Sequence, residues 1–221
     1  DIGMQPFDTV GARTTGYCSA SLALEYGCNA WMQSSNFING SLSGAVNKDA
    51  ELNTYLNTTY YASLSDKAKE QIINYSWSVG TVPFNSTSLK TQITQENQIK
   101  WSGYIALPSV SEYIRTSTNP KCTNLTSYYF DADGSCWKNS ENHNWLYKVL
   151  TNNDTKLGWL LNAHTDVYTV FCANGQTNRE GSIDRAYARG TSRLHASPTV
   201  YLTSNIYLKG LGTQTEPYII K

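Results

Sequence analysis

The run from Trp101 to Ile114, WSGYIALPSVSEYI, constrains this chain more tightly than any other stretch. It is apolar from Tyr104 to Leu107, meets Pro108, and continues Ser109-Val110-Ser111-Glu112. Proline removes a ladder donor and pushes the preceding residue towards extended geometry, so a strand arriving here must stop at Leu107. A serine followed three residues later by a glutamate is a capping box. The Ser109 hydroxyl accepts the Glu112 amide hydrogen, and the Glu112 carboxylate reaches back to the Ser109 amide. The spacing predicts a buried strand turning sharply into a short helix, with Tyr113 and Ile114 facing inward. It is a folding signal and carries no chemistry of its own.

Around this turn the chain divides by pattern. Residues 1 to 47 read as loops joined by short strands, punctuated by glycines, with Asn39-Gly40 as a turn signal. Two helices follow. The first is predicted to begin near Asn47 or Lys48, with Asp49 and Glu51 in a first turn where negative charge suits the helix dipole, and with Leu52, Tyr55, Leu56 and Tyr60 as its inward face. Ser65 caps the second, whose buried side is Ala68, Ile72 and Ile73 while Lys67 and Lys69 stay in water. Trp77 to Ile99 reads as irregular and polar. Residues 116–143 form a long polar insertion, uncommon unless functional or stapled. Beyond it Trp145-Leu146, Trp159–Leu161, Val167–Cys172 and Thr199–Leu202 alternate with turns and read as antiparallel strands, and Ile206–Leu208 and Tyr218–Ile220 close the chain. With no repeat and no break in composition, the expectation is one domain over residues 1–221. Its class is α+β, with two or three helices packed on a twisted antiparallel sheet with long loops.

Composition narrows the function classes. The 17 basic and 17 acidic residues cancel, and charged residues make up 15% against about 25% in an ordinary soluble domain. Non-specific nucleic-acid binding draws on clustered positive charge, which is missing, so no nucleic-acid partner is expected. No apolar run is long enough to span a membrane. The chain begins at Asp1 without a basic-then-apolar leader, which reads as a processed or truncated start; if the parent protein has a signal or an anchoring helix, it lies upstream. Sixteen tyrosines and six tryptophans, on a background of Asn, Ser and Thr, suit an extracellular contact surface.

Of five cysteines, Cys18 and Cys28 bracket one turn-rich loop and Cys122 and Cys136 another, neither at the spacing of a zinc site. Two readings stand: both pairs are disulfides in an oxidising compartment, or all are reduced thiols in a cytosolic protein. Closing a loop of about fifteen residues is worth roughly 3 kcal/mol. Cys172, left over in an apolar run, reads as a buried strand thiol.

Several segments together resemble a known family. Leu107-Pro-Ser-x-x-Glu112-Tyr113 resembles the strand-to-helix turn of formylglycine-generating-enzyme-like and related C-type-lectin-like domains. Its neighbours are similar to a domain common in surface proteins of Gram-positive bacteria, some carried behind a prepilin leader in type IV pilin-like proteins. The matching pieces are Gly27-Cys28-Asn29-Ala30-Trp31, Asp49-x-Glu51-Leu52-Asn53-x-Tyr55-Leu56-Asn57 with Tyr60-Tyr61, Cys136-Trp137 and Asn144-Trp145-Leu146. The close Pro198-Thr-Val-Tyr-Leu202, Gly210-x-Gly212-Thr213 and Pro217-Tyr218-Ile219 completes the order. The resemblance implies a C-type-lectin-like fold and a cell-surface setting. Ser197 stands where that close usually has Arg, and the paired active-site cysteines of the enzymes have no counterpart, so no reaction is implied.

Candidate sites are few. Asp131-Ala-Asp133-Gly134-Ser135, with Glu141 further on, can wrap oxygens around calcium, although Asx-rich turns look much the same. Glu141-Asn142-His143-Asn144-Trp145 places Glu, Asn and Trp together as sugar-binding C-type lectins do, but not in their E-P-N or W-N-D order; otherwise Asn144 caps a turn and Trp145 enters the core. Arg179, Arg185, Arg189 and Arg193 recur through one polar segment, read either as a solvated loop or as an anion patch, since guanidinium forks fit carboxylates. His143, His164 and His195 are scattered and no hydrolase or phosphate-loop motif is present. Sequons at Asn39, Asn57, Asn74, Asn85, Asn124 and Asn153 suggest glycosylation in a eukaryotic secreted protein and read as accidents of composition in an Asn- and Thr-rich bacterial chain. The expected function is a non-enzymatic extracellular domain for adhesion, contacting a protein or glycan through a face built by 116–143 and the loop 174–197. The alternative is a pilin-like filament subunit that packs on neighbouring copies. An enzyme of the formylglycine-generating group comes third.

Overall fold

A computed structural model describes residues 1–8, 30–33, 48–83, 88–119, 144–152, 156–164, 169–176, 179–188, 192–204, 208–209 and 219–220. Within them the chain runs β1 (Met4–Pro6), β2 (Met32–Gln33) and β3 (Lys48–Asp49), then a helical rod of α1 (Glu51–Tyr55), a π turn (Leu56–Tyr60) and α2 (Tyr61–Ser63). Next come α3 (Asp66–Gln71), β4 (Tyr75–Ser78), α4 (Leu89–Glu96), β5 (Lys100–Gly103), β6 (Ile105–Ala106) and α5 (Val110–Arg115). The later part holds α6 (Leu146–Leu150), β7 (Leu157–Ala163), β8 (Thr169–Asn174), β9 (Ile183–Tyr187), β10 (Arg193–His195), β11 (Thr199–Val200), β12 (Leu208–Lys209) and β13 (Ile219–Ile220). The class is mixed α+β. Among the described residues no helix is long and apolar enough to cross a membrane.

β7 and β8 are apolar on both faces, and that makes them the centre. Side chains alternate across a strand, and here each alternate set enters a different core. Trp159, Leu161, Val170 and Cys172 join Phe7, Trp31, Leu52 and Leu56 on one side. Leu160, Phe171 and Ala173 meet Val110, Tyr113, Ile114, Tyr147 and Leu150 on the other. On the first side the rings of Phe7, Trp31, Trp101 and Trp159 pack edge to face, with centroids 5.5–6.0 Å apart. The sheet order is β1-β10-β7-β8-β9. Its β1–β10, β7–β8 and β8–β9 pairs are antiparallel, as expected, but β10 runs parallel to β7, so the sheet is mixed. Alternation of apolar residues is the same for either direction of pairing, which is why the sequence reads as antiparallel throughout.

The capping box forms as its spacing predicts, with both reciprocal bonds present at Ser109 and Glu112, and Tyr113 and Ile114 are buried. Ser65 likewise accepts the Ala68 amide hydrogen at the start of α3. Other expectations need correction. The first helix begins after Ala50, because Lys48–Asp49 is spent pairing with Met32–Gln33. Tyr55 is exposed: a π turn follows it and shifts the inward face to Leu52, Asn53 and Leu56. The segment 77–99 is not irregular, since it contains the second half of β4 and the whole of α4, whose Ser88 cap accepts from Thr91. Trp145-Leu146 is no strand. Leu146 opens α6, and Trp145 before it is 60% exposed instead of entering the core.

Candidate functional site

The first turn of α5 has four amide donors that a helix cannot satisfy internally. Each finds an oxygen. Ser109 N–H donates to Glu112 Oε2 at 2.7 Å, Val110 N–H to Asn162 Oδ1 at 2.9 Å, Ser111 N–H to Glu96 Oε1 at 2.7 Å, and Glu112 N–H to Ser109 Oγ at 3.2 Å. Asn162, reaching in from β7, donates in turn to the carbonyls of Ser78 and Gly80 at 3.2 and 3.0 Å. The turn that dominates the sequence is thus the junction at which β4, α4, β7 and α5 are tied together.

Beside this junction lies a recess of about 140 Å³. Glu96 and Glu112 line it with Tyr75, Trp77, Tyr201 and Arg115. Tyr75 and Tyr201 stack with ring centroids 3.7 Å apart, and Trp77 leans on Tyr201 at 5.0 Å. Tyr201 Oη donates to Glu112 Oε1 at 3.0 Å, and Ser111 Oγ donates to Glu96 Oε2. The serines connect the two acids, since Ser109 Oγ and Ser111 Oγ are 3.2 Å apart. Burial raises the Glu96 carboxyl to about 7; the two Ser111 hydrogen bonds oppose the rise and the nearby Glu112 charge adds to it. Burial, then the Glu112 charge, push the Tyr201 phenol above its ordinary range. Neither Glu96 nor Glu112 forms an ion pair with a described residue. A group that ionises near neutrality, in a polar recess walled by rings, can exchange a proton or take a positive or hydroxylic ligand.

A larger and mostly aliphatic groove of about 660 Å³ lies elsewhere, between α3 and β11, lined by Tyr60, Leu64, Ile72, Pro198, Val200 and Leu202 among others.

The residues singled out from sequence fall differently. Cys18, Cys28, Cys122 and Cys136, the proposed disulfide partners, lie outside the described residues, as do Asp131, Asp133, Glu141, Asn142 and Arg189. Among the described residues no group of three or more His, Cys, Asp or Glu side chains is placed to hold a metal. Asn144 is fully buried and engaged: its Oδ1 accepts from Thr116 Oγ1 at 2.7 Å and from Leu146 N–H at 3.2 Å, and its Nδ2 donates to the Tyr113 carbonyl at 3.0 Å. With the Ser117–Asn144 bridge, this pins together the two ends of the 116–143 insertion. Arg179 sits 3.7 Å from Asp184, and Arg185 points outward from β9. His164 packs edge to face on Phe171, and His195 Nδ1 lies 2.8 Å from Asp1 Oδ2. Cys172 is wholly buried in β8, where burial first and the Asp184 charge second push its thiol well above the ordinary range.

The sequence alone gives no sign that Glu96, Tyr75 and Tyr201 share a site, and marks Glu112 only as a cap. The one local signal for Glu96 is its spacing four residues after Gln92 and eight after the Ser88 cap, on a helix whose few apolar residues conceal its inward face. Comparison with protein-family models, with curated proteins and with solved structures returned no match.

Proposed function

We propose that this chain is a non-enzymatic extracellular binding domain of C-type-lectin-like fold. It is displayed on a bacterial surface or a pilus-like filament and serves adhesion. The observation that carries the reading is the recess itself: three aromatic rings and two carboxylates, neither ion-paired with a described residue, converge at an opening beside the exposed Tyr75. Preformed concavities with a few convergent polar groups are where ligands bind, and rigid amphipathic rings give contact area at low entropic cost. Two of the segments that resemble surface C-type-lectin-like domains border this recess, one through Ser109, Ser111 and Glu112 and the other through Tyr201.

The test is retention of the purified chain on arrays of glycans and surface proteins and on whole cells, compared with Tyr75→Ala. Some member is expected to retain the wild type. The variant, with an unchanged melting temperature, should bind about tenfold less, as for the loss of an aromatic anchor worth about 1.4 kcal/mol. No retention on any surface, or retention indifferent to the substitution, removes the reading.

A filament subunit is the second reading, and Trp145 and Val149 favour it. They stand one helical turn apart at α6, 60% and 50% exposed, and aromatic and aliphatic side chains of this kind are what subunit interfaces bury. Regular polymers in electron micrographs, lost on Trp145→Ser, are expected on this reading, and a strictly monomeric wild type at high concentration rejects it.

A further inference from the structure

The recess contains an imbalance that names a ligand class. Among the described residues, the hydrogen bonds on its two carboxylates come from neutral donors: Ser111 N–H and Oγ on Glu96, Ser109 N–H and the Tyr201 hydroxyl on Glu112. Lys100 Nζ, close by on β5, is committed to Ser78 Oγ at 2.7 Å and to Asn97 Oδ1. Arg115 lines the opening without pairing with either acid. Two acids therefore share one small space, and neither is ion-paired with a described residue. Its apolar walls are the rings of Tyr75, Trp77 and Tyr201 and the aliphatic side chains of Ile93 and Leu161, and Ser78 and Asn97 add polar atoms. Ring faces attract cations, and an aliphatic stem packs on such walls while its charged end reaches polar atoms.

We propose that the recess receives an alkylammonium group, the lysine side chain of a protein partner, with the methylene stem along Ile93, Leu161 and the rings and the ammonium between Glu96 and Glu112. An anion is disfavoured by the two acids on the floor. A neutral sugar would leave their mutual repulsion unrelieved. The inference rests on the reading of the recess as the contact point, and it adds what that contact recognises.

Protonation gives the binding a signature. The groups facing Glu96 are Glu112 and Arg115 from α5, Tyr75 from β4 and Tyr201 after β11, with Lys100 of β5 at the rim. Of these, Glu96 is the one raised to about 7. An ammonium ligand holds it ionised, so binding releases a proton and weakens as pH falls through that value.

The test is a calorimetric and amide-NMR titration of the full chain with Nα-acetyl-lysine methylamide. The comparison probes are the neutral isostere Nα-acetyl-norleucine methylamide, methyl glucoside, calcium ion and inorganic phosphate. Saturable binding of the lysine derivative alone is expected, with shifts at the Ser111 and Glu112 amides and affinity falling up to about tenfold per pH unit below 7. Glu96→Gln should weaken it roughly tenfold and abolish the pH dependence. If that variant misfolds, Tyr75→Ala at the rim serves instead and should weaken binding by removing a ring. Equal binding of the norleucine derivative, preference for the glucoside, calcium or phosphate, or wild-type affinity in both variants overturns the proposal. If no lysine derivative binds while Tyr75-dependent retention on cells persists, the ligand class is wrong and the contact point survives. If retention ignores Tyr75, the contact point itself is wrong.

Discussion

The Glu96 carboxylate receives both the amide and the hydroxyl of Ser111, so the last residue of α4 caps the first turn of α5. Two short helices that neither propensity nor length would hold are joined by a single side chain across fifteen residues of sequence. This cap is also the floor of the recess, so stability and ligand recognition meet at one carboxyl group.

The pH dependence of stability follows from that position. The folded state raises the Glu96 carboxyl from 4.5 to about 7 and so prefers it protonated. Its contribution is complete below 4.5 and is lost as pH rises to about 7, a swing of about 3 kcal/mol at most. Glu96→Gln, which keeps an acceptor for Ser111 but cannot ionise, should gain on the wild type in melting temperature between pH 5 and pH 8. Parallel melting curves across that range would show that Glu96 does not titrate as argued.

The capping box should behave as a local device. Ser109→Ala removes the acceptor for the Glu112 amide and should cost about 1–2 kcal/mol in urea unfolding, with an unchanged slope. A loss below about 0.3 kcal/mol would mean that Glu96 and Asn162 alone suffice to start α5.

Gln92 is fully buried one turn before Glu96, and neither its Oε1 nor its Nε2 has a hydrogen-bond partner. Buried amides without partners are costly, so Gln92→Met, of similar shape, should stabilise the fold by about 1–2 kcal/mol. Thermal unfolding of the pair decides it, and a lower melting temperature for the variant counts against the assignment.

Asn57 clamps a kink in the chain. Its Oδ1 accepts the amides of Tyr104 and Ile105, both at 3.0 Å, and its Nδ2 donates to the Ile105 carbonyl at 2.8 Å. Asn57→Ala strands three backbone groups and should cost about 2–4 kcal/mol. Since the carboxamide nitrogen is already committed, the Asn57 sequon should stay unmodified in a glycosylating host, which peptide mass spectrometry reads directly.

Cys172 should resist alkylation by iodoacetamide in the native protein and react on unfolding. Its thiol is enclosed and its thiolate disfavoured by burial. Fast native labelling at Cys172 would place it on an accessible surface, contrary to the two-sided core around β8.

What the amino-acid order determined by itself was local. The Pro108 stop, the Ser109–Glu112 box and the Ser65 cap act between residues at most three apart, where chain geometry leaves little choice. The apolar runs of β7 and β8 were legible as strands for a similar reason, because burial on both faces needs no distant partner to be recognised. Tertiary structure decided everything that depends on which segments meet. It set β10 parallel to β7, put Trp145 in water, and brought Glu96, Glu112, Tyr75 and Tyr201 around one recess, although 126 residues separate the two tyrosines. A carboxylate reads as an ordinary polar residue until a fold removes its water and its counter-charge, and long-range packing alone does that.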